Sequence, residues 1–217
     1  MTPVPQSPYA RALAERIDEL HPRLRTYFEA IPDGAVGVGE GVFQRVGTPR
    51  RWLWPLLRVL ERRGVVAAAW ESDVPFRVEN RTIASRAIGE RTFRFRRGTW
   101  VMRDAVALTR HGRIVDELGE PGLIAACFDV TTHDGALGLT SRAIGIRLGR
   151  VRLRVPRLLS PVVRLTERFD DALDRQRVSL TIDAPLLGRL YEYRGDFTYR
   201  IERAGTTTDA GDEERTA

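Results

Sequence analysis

Residues 188–202, GRLYEYRGDFTYRIE, decide how the rest of the chain has to fold. Tyr191, Tyr193, Phe197, Tyr199 and Ile201 fall on one parity, and Glu192, Arg194, Asp196, Thr198, Arg200 and Glu202 on the other. Side chains of a strand point alternately to opposite faces, so the pattern predicts a half-buried strand with an aromatic face and a charged face. Gly195 interrupts the aromatic row and permits a bend or bulge. A strand of about 12–14 residues is far longer than the usual 5–6. Long, bent antiparallel strands occur where a sheet curls into a barrel or cup around a core or ligand.

The same two-residue period runs back along the chain to Val65. VPFRVEN alternates Val74, Phe76 and Val78 with polar positions, RTFRFRRG alternates Phe93 and Phe95 with arginines, and TWVMRDAVALT sets Trp100, Met102, Val106 and Leu108 on one side before an RHGR turn. Further strands are expected near residues 113–118, 123–132, 136–147, 150–155 and in RVSLTID (177–183). A late helix is expected from Arg157 to Phe169, beginning beyond Pro156, disturbed by Pro161 and covering an opening or edge of the sheet. Ahead of Val65 the period is helical. Leu13, Ile17, Leu20, Leu24, Tyr27 and Phe28 share a face that breaks at His21-Pro22, and Leu53, Leu56, Leu57 and Leu60 share another, capped by Thr48 and stopped by Gly64. Between them, the glycine-rich DGAVGVGEG reads as a flexible loop leading into a strand-like VFQRV. The expected fold is α+β: a curled antiparallel sheet, barrel- or cup-like, with N-terminal helices and one late covering helix. It forms a single domain over 9–202 between a loose proline-bearing arm (1–8) and a disordered acidic tail (203–217).

Composition closes off several chemistries. All 35 basic residues are arginine, so the lysine of a P-loop, of a protein kinase or of a Schiff-base enzyme is missing. Cys127 stands alone and cannot form an internal disulfide, the N-terminal stretch lacks the apolar core of a signal peptide, and no apolar run reaches the ~18 residues of a membrane span. The expected location is the cytoplasm. The net charge of +6 divides into an acidic tail and a body, residues 1–202, with 33 arginines against 25 acids. A basic body could attract nucleic acid or anionic lipid, yet the arginines alternate with carboxylates along strands, which favours a solvated sheet surface.

Motifs add little chemistry. GAVGVGEG precedes a strand-like segment, whereas a dinucleotide fingerprint follows a strand and opens a helix. His111 and His133 sit in glycine turns, and no paired His or Cys spacing points to a metal; no cofactor is expected. Cys127 reads as a buried structural thiol. The run Arg147, Arg150, Arg152, Arg154 and Arg157 forms a ladder without interleaved aromatic residues, so nucleic acid and membrane are the less favoured partners. Asp104 stands out because it shares the apolar parity of Trp100, Met102, Val106 and Leu108. A carboxylate there needs a partner; it is either half of an Asp–Arg pair at the sheet edge or a polar anchor in an apolar cavity.

Six stretches together resemble a bacterial family known as domain of unknown function 4166: GVFQRVG (41–47), DVPFRVEN (73–80), RTFRF (91–95), DELG (116–119), RLRVPRLLSPVVRLTER (152–168) and GRLYEYRGDFTYRI (188–201). The resemblance spans roughly residues 17–202. It implies no catalytic residues. Some relatives carry the domain behind an NAD(P)-binding, saccharopine-dehydrogenase-like unit, which implies an accessory role toward an oxidoreductase. Glu167 and Arg168 match the family's pattern.

The functional expectation is a non-enzymatic binding module whose curved sheet encloses an apolar pocket for a hydrophobic small ligand. The pocket candidates are Asp104, Trp100, Met102, Phe93, Phe95, Tyr191, Tyr193, Glu167 and Arg168. The alternatives are an accessory domain working in trans with an NAD(P)-dependent oxidoreductase, and a cofactor-free enzyme.

Overall fold

The computed structural model describes residues 6–120, 122–148, 151–156 and 160–204. In chain order the elements are α1 (Pro8–Leu13), a 3-10 turn (Ala14–Glu19), α2 (Pro22–Phe28), β1 (Ala35–Gly47), a second 3-10 turn (Arg51–Leu53), α3 (Trp54–Glu61), β2 (Trp70–Glu71), β3 (Val74–Ile83), β4 (Arg86–Phe95), β5 (Gly98–Leu108), β6 (Ile114–Leu118), β7 (Ile124–His133), β8 (Ala136–Leu148), β9 (Val151–Arg154), β10 (Val162–Asp170), β11 (Arg175–Ala184) and β12 (Gly188–Arg203). All strand pairs are antiparallel, in the order β10-β11-β12-β1-β3-β4-β5-β6-β7-β8-β9. Strand β10 also pairs with β8, Arg164 to Glu167 lying opposite Thr140 to Leu137. That contact closes ten strands into a barrel, with β9 and β2 as appendages outside the ring.

Two expectations are corrected by this ring. The late helix is strand β10 over Val162–Asp170. Its inward row is Val163, Leu165, Glu167 and Phe169; the carboxylate in that row hides the two-residue period, and hydrogen bonding to both β8 and β11 overrides the local helical preference. The expected start of that helix, residues 157–159, lies outside the described residues, as does the tail beyond Ala204. The glycine-rich loop is the first half of β1. Its glycines make room for aromatic rings: a Cβ on Gly37 would lie 1.7 Å from the Tyr199 hydroxyl oxygen.

The long closing strand is as expected, and Gly195 matters for space. A Cβ there would come within 2.6 Å of the Phe43 ring and 2.9 Å of its Cα. The bulge faces it on β1, where the register slips between Phe43 and Arg45. Inward residues of β1, β3, β4, β5 and β12 form an aromatic cluster in which Phe43, Phe76, Phe93, Phe95, Trp100, Tyr193 and Phe197 touch at ring-centroid separations of 4.4 to 6.0 Å.

The second 3-10 turn and helix α3 cover that end of the barrel through Leu53 and Leu57, with the Trp100 indole donating to the Glu61 carbonyl at 3.0 Å. Leu56, expected on the buried face, is exposed. At the other end α1 and α2 bury Leu13, Leu20, Leu24 and Phe28 against inward residues of β5 to β8. There the His21 amide donates to the Gly135 carbonyl at 3.0 Å, and the His21 ring stacks on Phe169. Ser7 and Pro8, expected in the loose arm, are buried, and the Ser7 hydroxyl accepts from the Ala10 amide at 3.0 Å; residues 1–5 of the expected arm lie outside the described residues. Among the described residues no helix is long and apolar enough to cross a membrane.

Gly195→Ala forces Phe43 and its backbone apart and should cost about 1–3 kcal/mol in urea unfolding. A variant as stable as the parent would show that the two strands do not approach this closely.

Candidate functional site

Between the aromatic cluster and the helical end lies a polar layer. On β4 and β5 the inward rows are Gly89, Arg91, Phe93 and Trp100, Met102, Asp104, with Gly89 directly across from Asp104. Arg91 and Asp104 form an ion pair; the Asp104 side chain is 4% exposed and that of Arg91 20%. Gly89 leaves room for it, because a Cβ there would sit 2.8 Å from both the Arg91 Nη1 and an Asp104 carboxylate oxygen. Asp104 is therefore half of an Asp–Arg pair, but in the middle of the barrel and not at a sheet edge.

Other inward polar groups surround the guanidinium. Asp116 on β6 and Glu167 on β10 both lie within reach of the Arg91 charge, as do the hydroxyls of Tyr9, Tyr27 and Tyr193. The Gln176 amide donates to the Glu167 carboxylate. Burial pushes the Glu167 carboxyl up to about 7, although the Gln176 hydrogen bond and Arg91 pull the other way. Burial likewise raises Asp116 to about 6, against the pull of Arg91, and its Oδ1 has no hydrogen-bond partner. The same desolvation lifts Tyr9, Tyr27 and Tyr193 well above the ordinary phenol value. One guanidinium thus shares the interior with three carboxyl groups.

The space beside this layer is small. A cavity of about 30 Å³ is lined by Tyr9, Tyr27, Asn80, Arg91, Asp104 and Val106 among others, enough for a water molecule or two. It lies between the end of α2 and the ends of β3 and β4 that flank their shared turn. Most of its lining belongs to β3, β4 and β5, and the rest comes from Tyr9 on α1, Tyr27 and Phe28 on α2 and the residues just after α2, so the N-terminal helices form one wall of the site.

Of the residues singled out by sequence, Asp104 and Glu167 lie in the polar layer, with Tyr193 and Met102 beside it. Phe93, Phe95 and Trp100 fill the aromatic cluster against one another, and Tyr191 is buried there with a hydrogen bond to the Ala67 backbone. Arg168 is exposed on the outer face of β10, one position away from inward Glu167, and so stands outside the interior. Sequence reasoning passed over Arg91, Asp116, Gln176, Tyr9 and Tyr27. The signal for two of them was present: Arg91 shares the parity of Phe93 and Phe95, and Asp116 that of Ile114 and Leu118, the criterion that picked out Asp104.

Outside the barrel, Cys127 is half-buried on β7 and faces a shallow groove with Arg113, Arg142 and Arg154. It is not the fully buried thiol expected. Arg142 there pairs with Asp129 at 3.2 Å. Of the expected arginine ladder, Arg150 and Arg157 lie outside the described residues. Among the described residues no three His, Cys, Asp or Glu side chains converge closely enough to hold a metal ion.

The raised carboxyls make stability depend on pH. The folded state holds the Glu167 proton up to about pH 7, whereas the unfolded chain loses it near 4.5. Stability should therefore fall as pH rises through that window and level off above it, Glu167 contributing about 3 kcal/mol of the fall. Glu167→Gln, which mimics the neutral acid, should flatten the profile and gain stability only at the alkaline side. Urea melts across the window test this, and a variant with the parent's slope would remove Glu167 from the account. Arg91→Met leaves three carboxyls without a cation and should lose about 3–5 kcal/mol, read by the same melts.

The family described as Domain of unknown function (DUF4166) matches residues 20–197. The Uncharacterized protein YndH of Bacillus subtilis (strain 168) is 27% identical over 191 residues, covering 82% of this chain and 90% of that protein. No solved structure matches this chain. Because the match runs from the start of α2 through all the ring strands and into β12, enclosing most of the polar layer, the chain belongs to the family described as Domain of unknown function (DUF4166).

Proposed function

We propose that this barrel is a small-molecule binding module, that the layer around Arg91 is its recognition site, and that the group it receives is a small cation such as a primary amine. The observation that carries this reading is the charge count around Arg91 among the described residues: Arg91 faces Asp104, Asp116 and Glu167, while Arg81, which also lines the cavity, pairs with Glu79. Buried carboxylates without counter-charges are costly, so they either take up protons or meet a cation. An ammonium group beside Asp104 would supply that charge. Tyr9 and Tyr27 line the same cavity, and aromatic rings attract cations. An anionic ligand would meet the opposite surplus.

The hydrophobic ligand expected from the aromatic strand faces has less support. The rings that were to line its pocket lie against one another at contact separations, so such a ligand would have to part a packed core. The polar cavity is itself smaller than a ligand, and binding therefore has to displace the wall made by α1 and α2. Tyr9 and Tyr27 would move with those helices.

Thermal-shift titration with simple primary amines tests the proposal, alongside native mass spectrometry of freshly purified protein. An amine should stabilise the fold by about 2.7 kcal/mol at a hundred times its Kd, and should do so above pH 7 far more than below pH 5, since the carboxyls are protonated in acid. Asp116→Asn should weaken the response. No response to amines, or a fatty, uncharged molecule in the mass spectrum, would overturn the cationic assignment.

A further inference from the structure

The end of the barrel covered by α3 carries an outward face that folding leaves unused. Trp52, Leu56 and Val59, spaced four and three residues apart, are 58%, 59% and 56% exposed. They run along the side of the helical segment away from Leu53 and Leu57, which hold it to the core. The turn between β11 and β12 stands beside them: the Arg50 Nε donates to the Arg189 carbonyl at 2.8 Å, and Gly188 lies against the Arg50 guanidinium. At the tip of that turn are Leu186 and Leu187, both exposed.

The tip is unusual in its backbone as well. The Leu187 amide donates to the Pro185 carbonyl at 2.7 Å, closing a three-residue turn with Leu186 at φ +64°. This is a conformation that L residues avoid, and a leucine in it gains nothing from its side chain when that side chain touches only solvent. Glycine or asparagine would form the turn more easily. A large apolar side chain held outward at a strained position points to something outside the fold that receives it.

Charge says what that is. Arg51, Arg58, Arg62 and Arg63 are exposed around the apolar stripe, and none has a carboxylate partner among the described residues. The acid of the helix, Glu61, turns inward to the Ala68 amide and to Arg97. We propose that α3 and the β11–β12 turn form one docking surface for an anionic lipid bilayer, the leucines and Trp52 entering the headgroup boundary and the arginines meeting lipid phosphates. Interfacial attachment of this kind combines an apolar strip with flanking basic residues and requires no spanning segment. A second copy of the chain fits poorly, because two such faces would oppose their arginines. Nucleic acid would take the arginines but leaves Leu186 and Leu187 without a role. The surface lies at the opposite end from the cavity beside Asp104, so it stands or falls independently of the amine site.

Flotation of the full chain with vesicles tests it, using phosphatidylcholine alone and phosphatidylcholine containing one third phosphatidylglycerol. Binding is expected on the anionic vesicles, weakened by salt. The double variant Arg58→Gln, Arg62→Gln should lower partitioning roughly 25-fold, at about fivefold for each arginine near the surface. Leu186→Ser with Leu187→Ser should lower it tenfold or more while leaving the melting temperature unchanged or higher. Three results would overturn the proposal: no binding to anionic vesicles, binding that both variants leave intact, or a dimer in solution that the leucine variant dissolves.

Discussion

Four residue pairs between β8 and β10, Thr140 to Leu137 against Arg164 to Glu167, turn an open sheet into a ring. Everything else in the molecule answers the geometry that this closure sets. Eight strands make a barrel that side chains alone can fill; ten make a wider one. The extra width is taken up from both ends. At one end the aromatic side chains of β1, β3, β4, β5 and β12 pack ring against ring under α3, and at the other α1 and α2 enter and bury their leucines against β5 to β8. Glycines on β1 and at position 195 then let the large rings lie flat across the neighbouring backbone.

Where the two fillings meet, the interior is neither aromatic nor aliphatic. Tyr27 and Leu165 pack against both clusters, and the polar layer around Arg91 occupies the same level. A charged layer is a poor way to stabilise a barrel, because desolvation cancels most of what ion pairing supplies. On the outer surface, by contrast, arginines and carboxylates alternate at little cost: Arg177 bridges Asp170 and Asp196, and Arg103 bridges Glu90 and Glu120. Such exposed pairs contribute little to stability and much to solubility. The contrast between charges that are cheap outside and costly inside is what marks the inner layer as the place where function is to be sought.

Helices α1 and α2 also supply one wall of that layer. Tyr9 on α1 and Tyr27 on α2 reach the Arg91 charge, while His21 and Arg23 hold the same segment to Asp171 and Asp174 in the turn beyond β10 at 3.3 and 3.8 Å. The cavity beside Arg91 and the seating of the helices therefore share the same side chains.

The N-terminal helix face and most strand faces, the closing strand included, were legible because each rests on a local period: Tyr191 to Ile201 alternate whatever the chain does elsewhere, and Leu13 to Phe28 recur at the helical interval. Local readings failed where neighbours in space decide. Val162–Asp170 has mixed preferences and becomes a strand because β8 and β11 both need a partner there. Gly37, Gly39 and Gly41 look like a loop until Tyr199 and Phe197 are laid across them. Parity alone identified Asp104 as an inward carboxylate and could have identified Arg91 and Asp116, since a charge on an apolar row is visible in sequence. Their convergence was not visible, because β4, β6 and β10 come together only when the ring closes. Where the alternation is unbroken, as in β3, β4, β5 and β12, the sequence by itself determined which side chains face in, through the two-residue pleat. Only the tertiary structure decided which inward side chains meet, because the stagger and closure of a barrel depend on hydrogen bonds between strands far apart in the chain.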